Sequence, residues 1–214
     1  MRNLSFVSLF LISILLSGCS TLKPFGLKPC QDGADSLALT RSPYKDRFDK
    51  LLFKASLDIR KEHLTGLLLV KRMPDSTIQI GFANEIGMTF FTFIIREDGF
   101  EAPYVFEPMN RKPLISIFRT CFELMLEYET DPKSRSILCN SEEDFVSAGS
   151  RSGRYKAWST IYRSPSKGSV LYGMNNFWDR TRIIFSDVSN GVPQTVSVST
   201  PMVGLEMELK LLSF

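Results

Sequence analysis

One histidine, four cysteines and two acidic clusters are the side chains from which chemistry could be built in this chain of 214 residues. Any Ser-His-Asp arrangement would have to use His63, which falls in a predicted hairpin turn, where a surface imidazole is the ordinary outcome. No G-x-S-x-G, H-E-x-x-H or P-loop sequence is present. Gly149-Ser150-Arg151-Ser152-Gly153-Arg154 is glycine-bearing and basic but lacks the Gly-Lys-Ser/Thr ending, so it reads as a flexible connection. Glu127, Glu129 and Asp131, and again Glu142, Glu143 and Asp144, are close enough in sequence to suggest acid–base work or calcium, but a calcium loop needs a regular ligand ladder with a bend glycine and a glycosidase pair needs a cleft, so they read as solvated charge. No cysteine pair has the C-x₂-C spacing of a zinc site. The expectation is a chain that is not an enzyme and needs no metal or cofactor.

Cys19 is a different case. Met1-Arg2-Asn3 forms a short n-region, and Leu4 to Leu16 is an apolar run too short for the roughly 20 residues of a spanning helix. The run ends in Leu16-Ser17-Gly18-Cys19, which matches the bacterial lipoprotein signal. Small residues there fit the signal peptidase, and the thiol takes a diacylglyceryl group before cleavage. The alternative is an ordinary secretory signal containing a cysteine. On the lipidation reading, residues 1–18 are a signal peptide and Cys19 carries two or three fatty acyl chains such as palmitate. Two chains make a stable anchor, at ~0.8 kcal/mol per buried CH₂. Ser20 stands where the enterobacterial sorting rule puts an inner-membrane-retaining aspartate, so the expected residence is the outer membrane, facing the periplasm.

Residues 19–42 carry Pro24, Gly26, Pro29 and Gly33 without a sustained period, which predicts a flexible tether with a span of roughly 25–30 Å. Residues 43–214 are then long enough for one domain with a sizeable core. The formal charge of +3 falls to about +2 without Arg2, too little to argue for nucleic acid. An exported compartment permits disulfides. Cys121 and Cys139 pairing, with Cys30 left over, and three unpaired thiols both remain open.

The elements that must position these residues are mostly strands. From Leu52 the period is two: Phe53, Ala55, Leu57 and Ile59 alternate with Lys54, Ser56, Asp58 and Arg60. Lys61-Glu62-His63 is predicted to turn the chain into a strand over 66–71, followed by 77–83, 88–96 and 100–106. The segment 88–96 is apolar at successive positions, as in a strand covered on both sides. Pro113 opens a helix running to Leu126, whose stripe Leu114, Ile117, Cys121, Leu124 and Met125 is widened by Ile115, Phe118 and Phe122. Residues 127–144 are expected as a solvated loop, and strands return over 154–163, 169–174, 181–188, 194–200 and 205–212. Between two of them, Asn175-Asn176-Phe177-Trp178-Asp179-Arg180 reads as a corner whose rings plug one end of the sheet, with an interfacial role as the alternative. The fold class is mainly β with one or two helices (α+β). Its expected form is an antiparallel, strongly curved sheet or unclosed β-barrel of about ten strands with a helix on the concave face.

Within it, Asn84-Glu85-Ile86-Gly87 looks like a hairpin tip that contains a branched apolar residue. Either Ile86 folds into a core or it is held out toward something apolar.

A lipid-bearing cysteine, a tether, a run of hairpins, a helix and a second run of hairpins resemble the lipoprotein-localisation (LolA/LolB-like) family over roughly Asp49 to Leu212. The clearest local match is Asn84-Glu85-Ile86-Gly87-Met88-Thr89, similar to the Asn-Pro-Leu-Gly-Ser-Thr loop of the family's outer-membrane receptor; Glu85 stands in place of its proline. The resemblance implies an apolar cavity that accepts acyl chains of lipids or lipoproteins, a periplasmic carrier as a possible partner, and an inserting role for Ile86. A cavity lined by Ile80, Phe82, Phe90, Phe93, Phe118 and Phe122 would suit acyl chains. The same residues would equally fill the closed core of an accessory outer-membrane lipoprotein that docks a protein partner.

Overall fold

Period-two alternation becomes a sheet with one apolar and one polar face. The computed structural model describes residues 28–29, 42–44, 48–126, 136–140, 145–151, 156–162, 169–174, 180–201 and 203–213, with side chains described in 42–44, 48–126, 181–201 and 203–213. In chain order the elements are β1 (Lys28–Pro29), β2 (Lys50–Ile59), β3 (Glu62–Arg72), β4 (Ile78–Ala83), β5 (Thr89–Arg96) and β6 (Gly99–Val105). A 3₁₀ turn (Glu107–Met109) leads to α1 (Lys112–Leu126). The chain continues through β7 (Ser136–Asn140), β8 (Phe145–Arg151), β9 (Lys156–Tyr162), β10 (Ser169–Met174), β11 (Arg180–Ser189), β12 (Val192–Thr200) and β13 (Leu205–Ser213).

All these strands join one antiparallel sheet in the order β1-β7-β8-β9-β10-β11-β12-β13-β2-β3-β4-β5-β6. Two meanders, β2–β6 and β7–β13, meet where β13 pairs with β2, and α1 carries the chain from the β6 edge toward the far edge. The ladder is not closed, because β1 and β6 remain edges.

The described strands exceed the expected ten. Ser136–Asn140 lies within 127–144, expected as a loop, and Gly149–Arg151 ends β8 where a flexible connection was expected. Short strands beside Pro132 and clustered acids leave too little alternation to be read against that composition. Lys28 and Pro29, within the expected tether, pair with Cys139 and Leu138.

Eight strands, β2–β6 and β11–β13, enclose the described core. Leu51, Phe53, Ala55, Leu57 and Ile59 of β2 face inward, as do Leu68 and Val70, Ile78 and Ile80, Ile183 and Phe185, Val196 and Val198, and Leu205, Met207 and Leu209. Turn chemistry sets the registers. Asn190 and Gly191, both at positive φ, form the two-residue connection between β11 and β12. The first hairpin is tighter than expected, since Ile59 pairs with Glu62 and Asp58 with His63. His63 is therefore on the first rungs of β3 and not in the turn.

Strand β5 departs from simple alternation for a specific reason. Phe82 pairs with Phe91 but Ala83 pairs with Thr89, leaving Phe90 as the extra residue of a β-bulge. Phe90 and Phe91 are both buried, and thereafter Phe93 and Ile95 face inward while Thr92 and Ile94 are half-buried. The apolar run expected to be covered on both sides is mostly a bulged strand with one buried face.

The helix is enclosed on all sides near its end: seven consecutive residues, Thr120–Leu126, are buried. Phe118 and Phe122 pack on β5, and α1 also approaches β10 and β11. Its C-terminal carbonyls need partners, and the Ser42 hydroxyl donates to the carbonyl of Met125. Tyr44 fastens the same segment, its ring edge-on to Phe53 of β2 and Phe185 of β11 at 6.0 and 5.9 Å, its hydroxyl donating to the Pro193 carbonyl at 2.9 Å.

Candidate functional site

The β4–β5 hairpin closes through hydrogen bonds that leave one side chain outside them. The Asn84 amide donates to the Met88 carbonyl at 3.0 Å, the Gly87 amide donates to the Asn84 carbonyl at 3.1 Å, and the Met88 amide donates to Asn84 Oδ1 at 2.8 Å. Gly87 takes the left-handed conformation at φ +87. This is a tight turn followed by a left-handed glycine, one of the common ways to close a hairpin with three loop residues. The positive φ falls on Gly87 and not on Ile86, so a β-branched residue fits without backbone strain. Ile86 is 90% exposed, and Met88 beside it is exposed too. Of the two outcomes open for Ile86, the structure has the side chain in solvent.

Below the tip, the remaining candidates come together. Phe82, Phe90, Phe93, Phe118 and Phe122 are all buried and belong to one aromatic cluster with Ile80. Its hub is Phe91, which lies 4.5 Å from Phe93, 5.1 Å from Phe118 and 5.4 Å from Phe82, centroid to centroid. Phe90 joins through Phe82 at 5.0 Å, and Phe122 lies 6.2 Å from Phe93. Such pairs add roughly 0.5–1.5 kcal/mol each beyond their area burial. Phe90 and Phe93 have an odd spacing that would put them on opposite faces of a regular strand; the bulge brings both to the inner face. Period-two reading passes over Phe91 for the same reason, although the adjacent pair Phe90-Phe91 in a strand was the available sign.

A charged pair within the apolar helix is a second feature missed from sequence. Arg119 Nε donates to Glu123 Oε1 at 2.6 Å, with Glu123 buried and the guanidinium 5.5 Å from the ring centre of Phe100. An Arg and a Glu four residues apart on a helix can meet, and their placement inside a wide apolar stripe was the signal. With Glu123 buried and Arg119 half-buried, such a pair is costly to desolvate and is weak evidence for stability.

The other chemical candidates separate. His63 Nδ1 lies 2.6 Å from Asp58 Oδ1 across the β2–β3 hairpin, both side chains more than half exposed, on the polar face of the sheet. Among the described residues no group of three or more His, Cys, Asp or Glu could hold a metal ion, and no helix is long and apolar enough to cross a membrane. Cys121 is buried on α1. Cys19, expected to be lipidated, both acidic clusters and the Asn175–Asp179 corner lie outside the described residues, as does the side chain of Cys139 on which a pairing with Cys121 depends. Neither a known protein-family model nor a curated protein matches the chain.

Proposed function

We propose that this chain is a bacterial lipoprotein, anchored in the outer membrane through acylated Cys19, that takes acyl chains of lipids or lipoproteins against the apolar face of its sheet and helps place them in the bilayer. The observation that carries the reading is Ile86, 90% exposed on a turn held by Asn84 and Gly87, at the end of the hairpin that supplies the aromatic cluster. An apolar side chain presented this way loses nothing by entering lipid, and the hairpin joins the point of entry to an apolar interior.

The packing of α1 supports the trough that this reading requires. Between β5 and β11 stand β4, β3, β2, β13 and β12. At ~4.8 Å per strand, a flat sheet would separate β5 from β11 by roughly 29 Å. Phe118 and Phe122 touch β5, yet α1 also approaches β11, and no residue of α1 lies more than roughly 9 Å along the axis from that pair. A sheet bent around α1 into an unclosed barrel, with the helix on its concave side, accounts for both contacts and for the burial of seven consecutive helix residues. Loading an acyl chain then means displacing α1 from the aromatic cluster.

A specific observation favours a second reading. Phe91, Phe93, Phe118 and Phe122 are 0% exposed, so this interior is filled, as in an accessory lipoprotein that docks a protein partner. A photoreactive diacylated lipopeptide offered to the full-length protein separates the two. Adducts on peptides carrying Phe82, Phe90 or Phe118 are expected for acyl loading; their absence leaves the second reading.

A further inference from the structure

On the face of the sheet opposite the aromatic cluster, leucines stand among lysines, and we propose that this outer face of β13, β2 and β3 docks on an anionic phospholipid bilayer. The outward positions of β2 and β3 include Leu52, Leu67 and Leu69, with Leu52 directly across from Leu69. Leu212 sits in the β-bulge of β13 beside Leu52, where the register passes from Leu211 to Ser213. Leu67, Leu69 and Leu212 are 42%, 38% and 56% exposed, although period-two strands normally put polar residues on a solvent face.

The charges around them are arranged unusually. Lys50 and Lys54 flank Leu52 along β2, Lys71 follows Leu69 by two residues, and Lys210 precedes Leu212 by two. Lys50 is directly opposite Lys71, and Lys54 is directly opposite Lys210. Like charges in opposed positions destabilise a sheet, so each of these pairs costs stability that a surface of opposite charge would recover. Asp58 and Glu206 face each other at the other end of the same strands, and among the described residues only Glu208, 3.1 Å from Lys210, reaches the lysines. A surface that offers anionic headgroups to the lysines and an apolar layer to the leucines matches both parts of the patch. Each lysine at such a surface strengthens binding about fivefold. The inference is independent of acyl loading, which involves the opposite face.

Full-length protein reconstituted in vesicles containing a photoreactive phospholipid provides the test, with phosphatidylcholine alone or mixed with phosphatidylglycerol. Adducts on peptides containing Leu52, Leu69 and Leu212 are expected in the mixed vesicles. They should fall by at least about tenfold in neutral vesicles and in the double variant K54E/K71E. The thermal midpoint of that variant should stay the same or rise, because each substitution turns a like-charge pair into an opposite one, and retained folding is thereby part of the readout. Adducts confined to the Ile86 hairpin or the N-terminal segment overturn the proposal. So does equal labelling in neutral vesicles, or a patch left unlabelled in both kinds of vesicle, as when a second copy covers it. Acyl loading is read separately, from lipopeptide adducts on the inner face.

Discussion

An isoleucine exposed over 90% of its surface contributes almost nothing to the core beneath it. Ile86→Glu should therefore change the thermal midpoint by no more than an exposed substitution does, within about ±0.5 kcal/mol. If Ile86 enters lipid, the same change should sharply reduce transfer of a diacylated lipopeptide into liposomes, because a carboxylate would have to enter an apolar phase. Transfer at the parental rate would remove Ile86 from the mechanism. Tyr44 offers a test of different kind. Burial pushes its phenol well above the ordinary value of 10.0. The folded state then holds a proton that the unfolded chain releases above about pH 10, so stability is full below that pH and falls by about 1.4 kcal/mol per pH unit above it. Tyr44→Phe loses the bond to Pro193, costing about 1 kcal/mol at neutral pH, but should show a shallower alkaline decline in thermal midpoint. Equal slopes would place the alkaline sensitivity elsewhere. At this scale Asn84 and Gly87 were legible because turn geometry is local. The exposure of Ile86 was not, since either outcome suits the same four residues.

Elements were legible where alternation ran long. Strand β2 matches its predicted span closely, and α1 begins at Lys112, one residue before the predicted Pro113. Strands β7 and β8 were missed because five to seven residues beside an acidic loop carry little period, and the bulge at Phe90 because it breaks the period itself. Gly66 belongs to neither case. It occupies an inward position on β3, and a Cβ there would lie 2.0 Å from the carbonyl oxygen of Ala83, where β4 leaves for the Ile86 turn. Gly66→Ala must push two backbones apart at the root of that hairpin, with an expected loss of roughly 1–3 kcal/mol. Chemical denaturation measures it; an unchanged midpoint would mean that β3 and β4 separate freely at this point.

Across the whole molecule, each meander was readable from the order of its turns, but the seam between them was not. Nothing in the pattern of β13 distinguishes pairing with β2 from an exposed edge, because both need one apolar face, and 150 residues of chain or so lie between the two strands. The proposed attachment to the membrane is separable from folding. Ser42 and Tyr44 are fixed to α1, β2, β11 and β12, downstream of Cys19. Cys19→Ala should yield a protein with the parental circular dichroism and thermal midpoint that leaves the membrane fraction. Persistence in that fraction would contradict lipidation at Cys19.

The seam between β13 and β2 also governs when the protein can fold. Strand β13 lies in the interior of the sheet, bonded on one side to β12 and on the other to β2. Until Leu205–Ser213 has joined the sheet, β2 and β12 each present an unpaired edge, and the apolar face they share is incomplete. Pairing over so long a sequence separation is slow. A chain built this way cannot complete its sheet until β13 is available, and it is exposed to edge-to-edge aggregation during that interval.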